Sequence, residues 1–126
     1  MDVLVTGGCG YIGSVLVPLL QGSPAVNQIT VLDNLNSGSP ANLRAADLGN
    51  NNLGFREGDV RGYDNVESAV RSADTVVHLA AITGAASTHD KAEKTRAVNL
   101  EGTRNVLKTA RKFDVDRVVF ASSCNN

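Results

Sequence analysis

The chain has 126 residues, 42% of them hydrophobic and 20% charged, with a formal net charge of −1. That length bounds it to one domain, with enough apolar residues for a real core. The near-neutral balance leaves no basic footprint for nucleic acid, and no apolar stretch reaches the ~18 residues of a membrane span, so neither is expected as a partner.

The first predicted strand is Asp2–Thr6, whose centre Val3-Leu4-Val5 is apolar on both faces. Met1-Asp2 lead straight into it without a signal-like segment, so a cytoplasmic protein is expected. The run Thr6-Gly7-Gly8-Cys9-Gly10-Tyr11-Ile12-Gly13 follows, with glycines at three-residue spacing where a strand turns into a helix. Such a junction suits a pyrophosphate. The helix N-terminus offers unpaired N–H groups and a positive dipole end, and glycine lets a phosphate approach the backbone. Cys9 and Cys124 are spaced for neither a disulfide scaffold nor a metal site and read as reduced thiols.

The first helix is predicted over Tyr11–Gln21, with a kink at Pro18, beyond the phosphate site. The second strand is predicted over Gln28–Leu32 and ends on Asp33, whose carboxylate can accept both hydroxyls of an adenosine ribose and would repel a 2′-phosphate. No Arg follows at 34 or 35, which favours NAD over NADP. Asn34–Gly54 is the longest irregular segment, with a weak helix from Pro40 to Leu48. A strand over Leu53–Glu57 leads to Asp59, a helix covers Tyr63–Ser72, and a strand covers Thr75–Leu79.

His78 in that strand reads as a hydrogen-bonded core residue rather than a catalytic base, since its neighbours are apolar. His89 is placed on a surface loop and Asp90 at the N-cap of a long helix, Asp90–Phe113. Thr95, Asn99, Gly102, Val106 and Ala110 share one face of it, Gly102 allowing close packing on the sheet, with Lys91, Lys94, Arg104, Lys108 and Lys112 outside. Asn99 needs partners, either backbone near the fourth strand or the cofactor. The last strand, Arg117–Ala121, precedes Ser122-Ser123. Alternating strands and helices give a Rossmann-type, doubly wound α/β/α fold with parallel strand order 3-2-1-4-5, truncated after the fifth strand. Each strand's C-terminal end carries a small or polar group, at the edge where open α/β sheets bind ligands.

The pieces TGGCGYIG, VLDNL, EGDV, VVHLAA, VNLEGT and VVFASS, in that order, resemble the extended short-chain dehydrogenase/reductase family, the NAD-dependent epimerases and dehydratases of nucleotide sugars. VLDNLNSG is most similar to the UDP-glucose 4-epimerase-like members. The resemblance implies that Gly7, Gly10, Tyr11 and Ile12 bind the pyrophosphate and that Asp33, Asn34, Asn36 and Ser37 hold the adenosine ribose and its phosphate. By the same resemblance Asp59 and Val60 flank the adenine, and Leu79, Ala80, Ala81 and Thr83 line the path to the nicotinamide, supported by Asn99. Ala121 sits beneath the nicotinamide ribose, and Ser123 matches the catalytic Ser/Thr that hydrogen-bonds the reacting sugar hydroxyl.

The family's Tyr-x-x-x-Lys base is not in this sequence, because only Tyr11 and Tyr63 occur and neither has Lys four residues on. The sequence is therefore expected to be an incomplete NAD-binding domain, residues 1–126, of a nucleotide-sugar epimerase or dehydratase that is inactive alone. The alternative is a stand-alone, non-catalytic NAD-binding module or sensor. A fifth strand apolar on both faces leads to the expectation of self-association or a homodimer.

Overall fold

A computed structural model describes residues 1–82 and 89–122. The strands are β1 (Asp2–Thr6), β2 (Gln28–Asp33), β3 (Leu53–Glu57), β4 (Thr75–His78) and β5 (Arg117–Phe120). They form one parallel sheet in the order β3-β2-β1-β4-β5. The helices are α1 (Tyr11–Gln21), α2 (Tyr63–Val70), α3 (His89–Arg96) and α4 (Gly102–Lys112). The expected strand order and layering hold.

Side-chain alternation along β1 builds two cores. Val3 and Val5 face one side and join Val17 of α1, Ile29 and Val31 of β2, and Leu43 and Ala46 of the β2–β3 connection. Leu4 faces the other side with Leu32, Val66, Val70, Val76 and Val106, from β2, α2, β4 and α4. A strand buried on both faces must be apolar at consecutive positions, which is why Val3-Leu4-Val5 carries no polar residue. Full burial of each such side chain contributes roughly 1.5–3 kcal/mol. The chain passes from β3 at one edge to β4 on the far side of β1, so β1 and β4 are the neighbours where the winding reverses.

Several local expectations are corrected. The weak helix at Pro40 is a single 3₁₀ turn, Pro40–Leu43, with the Ser39 hydroxyl accepting from Ala41 N. α1, by contrast, keeps its expected range, running through Pro18 to Gln21, and the Pro18 carbonyl accepts from Gly22 N. His89 and Asp90 both belong to α3, so His89 is helical rather than in a loop and Asp90 is helical rather than a cap. Between α3 and α4, Ala97–Glu101 form a π-type turn.

Gly102 packs closely as expected, but against the loop after β3 rather than the sheet. A Cβ there would lie 2.5 Å from Val60 Cγ2. Beside it the Asn105 amide donates to the carbonyls of Val60 (2.9 Å) and Arg61 (3.1 Å). Gly102→Ala is therefore expected to destabilise the fold by about 1–2 kcal/mol, overpacking outweighing the ~1 kcal/mol gain in helix propensity. Denaturant unfolding checks this, and an unchanged midpoint would contradict the packing. Val119 and Phe120 on β5 are 45% and 56% exposed. Among the described residues, no helix is long and apolar enough to cross a membrane.

Candidate functional site

β1 ends beneath the glycine turn. Gly7 N donates to Leu32 O of β2 (2.8 Å), Gly10 N to Gly7 O (3.1 Å) and Ser14 N to Gly10 O (3.0 Å), which winds the chain directly into α1. Gly7 sits at φ +71°, and a Cβ there would lie 2.6 Å from Ala80 N, so glycine is required twice over. Gly10 is the N-cap of α1 and gives no side-chain cap, leaving the first amides of the helix for a ligand. A cleft of about 520 Å³ opens there, lined by Gly7, Gly10, Tyr11, Ile12, Ser37 and Leu79 among others. Tyr11 is 88% exposed, so its contribution to an anion site is its backbone. Among the described residues no Lys or Arg lines the glycine turn, so an anion there would rely on amides and the helix dipole, while Lys94 Nζ reaches the adjoining end by donating to Asn36 Oδ1 (3.4 Å).

Asp33 closes the adjoining end, with Asn34, Asn36, Ser37 and Gly38 beside it. Its side chain is buried, Oδ2 accepting from Cys9 N (2.9 Å) and Oδ1 from Leu35 N (2.8 Å). A carboxylate offers about four lone-pair sites, so two remain for hydroxyl donors. Leu35 holds a positive φ of 58° while its side chain packs on the α1-side core, so the loop is shaped by packing at some backbone cost. Asn34 Oδ1 accepts from Asn36 N, tightening the same loop. The Cys9 thiol is pushed up to about 11 by burial and by Asp33, which makes it an inert thiol beneath the turn.

The opposite wall is residues 79–82. Leu79 N donates to Thr6 O (2.9 Å) and Ala80 N to Thr6 Oγ1 (3.3 Å). Ile82 is held at two points by Asn99, its N–H donating to Oδ1 (2.8 Å) and its carbonyl accepting from Nδ2 (3.0 Å). Of the two uses open to Asn99, the structure shows the first, a backbone tie next to β4. His78 is a core histidine as expected, 2% exposed, with Thr6 Oγ1 at 2.6 Å from Nδ1 and Thr103 Oγ1 at 3.1 Å from Nε2. Burial lowers its pKa to about 4.

Asp59 lies beyond Asp33, and the Asn34 side chain hydrogen-bonds it. Arg61 grips its carboxylate, Nη2 donating to Oδ2 (2.7 Å) and Nε to Oδ1 (3.1 Å), and this holds the acid down at about 2. Val60 is buried under Gly102. Ala121 N donates to His78 O (3.3 Å), placing Ala121 past the end of β5 beside the wall. Thr83 and Ser123 lie outside the described residues. The structure thus gathers Gly7, Gly10, Tyr11, Ile12, Asp33, Asn34, Asn36, Ser37, Leu79, Ala80 and Ala81 around one cleft, with Asn99 behind it.

Sequence reading missed Gly38, Ile82 and Val98 in the lining and Arg61 beside Asp59. Gly38 has a recognisable reason, since a Cβ there would lie 2.6 Å from Cys9 O. Among the described residues no cluster of His, Cys, Asp and Glu could hold a metal.

Comparison with known proteins agrees with this geometry. A model described as the NAD dependent epimerase/dehydratase family matches residues 3–126. The low-salt glycan biosynthesis protein Agl12 of Haloferax volcanii is 38% identical over 124 residues, 98% of this chain but 39% of that protein. A dTDP-glucose 4,6-dehydratase of Streptomyces niveus is 38% identical over 130 residues, covering 98% of this chain and 38% of its own. The crystal structure of the Thermus thermophilus UDP-glucose 4-epimerase in complex with NAD superposes with a TM-score of 0.83 at 35% identity, covering 98% of this chain and 38% of that one. The chain therefore spans well under half the length of the proteins it matches, and corresponds to their NAD-binding Rossmann region.

Proposed function

The chain belongs to the NAD-dependent epimerase/dehydratase family, and on that premise we propose that it supplies the NAD site of a nucleotide-sugar epimerase or dehydratase. The observation that carries this reading is the pairing of a side-chain-free helix N-terminus with a buried carboxylate that keeps two free lone-pair positions. The residues fit the dinucleotide. Gly7 lets the turn pack against the Ala80 backbone, Gly10 leaves open the space that a Cβ would fill, Tyr11 and Ile12 present backbone amides to the pyrophosphate, and Asp33 takes the two ribose hydroxyls. Asn34, Asn36 and Ser37 follow the ribose and its phosphate, and the family resemblance puts Asp59 and Val60, which lie outside the cleft lining, beside the adenine.

Leu79, Ala80 and Ala81 form the nicotinamide wall, backed by Asn99, and the family resemblance adds a role for Thr83 there and for Ala121 at the second ribose. Bound NAD supplies a hydride acceptor and donor for a sugar carbon. Ser123 orients the sugar hydroxyl by hydrogen bonding. A base is also required, since general base catalysis typically contributes ~10²–10⁴-fold. In the family pattern a Tyr/Lys pair does this, and it is not among these 126 residues.

The test is an NADH fluorescence titration of Asp33→Asn beside the wild type. Asn keeps the side-chain volume but loses the charge and half the acceptor capacity, so binding is expected to weaken about 10- to 100-fold, with the wild type preferring NADH to NADPH. Equal affinity in a variant with unchanged circular dichroism would remove Asp33 from the ribose site.

A further inference from the structure

His78, Thr6, Thr103 and Asn99 close a ring of directed hydrogen bonds around the wall of the cleft, and the direction of each bond is fixed by chemistry. The Ala80 amide can only donate, and it reaches Thr6 Oγ1 at 3.3 Å. That leaves the Thr6 hydroxyl with a proton it can donate to His78 Nδ1 at 2.6 Å. On the other side the Asn99 carbonyl can only accept, and Thr103 Oγ1 donates to it at 2.6 Å. With its proton committed there, Thr103 accepts from His78 Nε2 at 3.1 Å. Thr103 requires the proton on Nε2, and in the neutral ring that makes Nδ1 the acceptor of the Thr6 proton. Asn99 then completes the ring through its two bonds to Ile82. The π-type turn Ala97–Glu101 carries Asn99, a widening of the kind that recurs at functional sites.

We propose that His78, locked as the neutral Nε2–H tautomer between Thr6 and Thr103, is a positioning residue of the cleft. It clamps the end of β1 to the widened helical turn and thereby holds the backbone of residues 79–82 in place. The clamp touches no ligand. Its effect on cofactor affinity rests on the NAD reading above, whereas the tautomer and the rigidity of the wall do not.

The experiment compares the wild-type protein with Thr103→Val and Thr103→Ser. Long-range ¹H–¹⁵N correlation spectra of the imidazole report the tautomer, and amide hydrogen exchange at Ala80 and Ile82 reports the wall, both without NAD. The wild type is expected to show a protonated Nε2 and an acceptor Nδ1. Thr103→Val, similar in shape but without the hydroxyl, loses its bonds to both His78 Nε2 and Asn99 O and is expected to mix tautomers and to speed exchange at both amides about 3- to 10-fold. Thr103→Ser is expected to restore both signals, and NAD affinity to follow the same order. A wild-type ring protonated on Nδ1, or Thr103→Val exchange equal to wild type, would overturn the proposal. Wild-type protein that shows the tautomer and the exchange pattern yet binds no NAD would support the clamp and refute the cofactor reading, so the two fail separately.

Discussion

Gly13→Ala is expected to lose about 3 kcal/mol of stability, which for a domain of this size lowers the melting temperature by roughly 10 °C. A Cβ at Gly13 would lie 2.1 Å from the Gly8 carbonyl oxygen, 2.5 Å from its carbon and 2.6 Å from Gly8 Cα. All three atoms are backbone, so no rotamer change relieves the clash and α1 must lift off the turn. Lifting it pulls Val17 away from Val5 and Val31 in the core beneath. The helix-propensity gain of ~1 kcal/mol is too small to offset this.

Gly10→Ala makes a sharp contrast, because its Cβ would stand 3.3 Å from Gly7 O, a contact that a shift of a few tenths of an ångström accommodates. That variant is expected to stay folded and to bind NADH more weakly, since the new methyl occupies the cleft. Gly22→Ala, with nothing nearer than 3.7 Å, serves as the neutral control. Thermal melts of the three, followed by NADH titration of those that fold, separate the glycine that lets the helix pack from the glycine that admits a phosphate. A Gly13→Ala melt within 2 °C of wild type, against the ~10 °C expected, would mean that the turn is far softer than its geometry implies.

Much of this was readable from sequence wherever one residue type answers one local demand. Val3-Leu4-Val5 must be apolar throughout because both faces are covered, and Gly7, Gly10 and Gly13 sit where a strand turns tightly into a helix. Asp33 was recognisable because an acid at the end of β2, following the glycine turn, can accept both hydroxyls of a ribose. The rest depends on contacts between distant segments. Ala97-Val98-Asn99-Leu100-Glu101 contains neither Gly nor Pro, and nothing in it announces a π-type turn. The turn accompanies two long-range demands on Asn99, the grip on Ile82 and the bond its carbonyl accepts from Thr103.

Asn105 and Thr109 escaped notice as buried residues for a related reason. Both are polar, yet Asn105 is satisfied by carbonyls of the Val60–Arg61 loop and Thr109 by carbonyls of its own helix. Gly102 was correctly read as a close approach, but its partner, Val60, could be found only from the fold. Arg61 is the opposite case. It stands two residues from Asp59, near enough to be guessed, and the turn that brings its backbone and side chain onto one carboxylate was the missing piece.

The pH dependence of stability follows from His78 with a definite sign. Its pKa is about 4 in the folded chain against 6.5 for a free imidazole, because burial disfavours the charged ring. Between these values the unfolded chain binds a proton and the folded chain does not, so unfolding takes up a proton and stability falls as the pH drops from 6.5 toward 4. Integrated over that window the loss is about 3 kcal/mol. Asp59, held at about 2 against 3.8, contributes in the same direction but only below pH 3.8, outside the window. His78→Gln isolates the effect, since a carboxamide can accept from Thr6 and donate to Thr103 in the same sense as the neutral ring but has no proton to gain. It is expected to be less stable at pH 7 through lost packing against Phe120, whose ring lies 5.9 Å from the imidazole, yet to lose less with acidification. Denaturant midpoints at pH 7, 6, 5 and 4.5 supply the slopes. Parallel slopes in the two proteins would show that His78 takes up its proton without opening the fold. The ring of bonds would then have to tolerate a charged imidazole, although the Thr6 hydroxyl directs its own proton at Nδ1 and would face a second donor there.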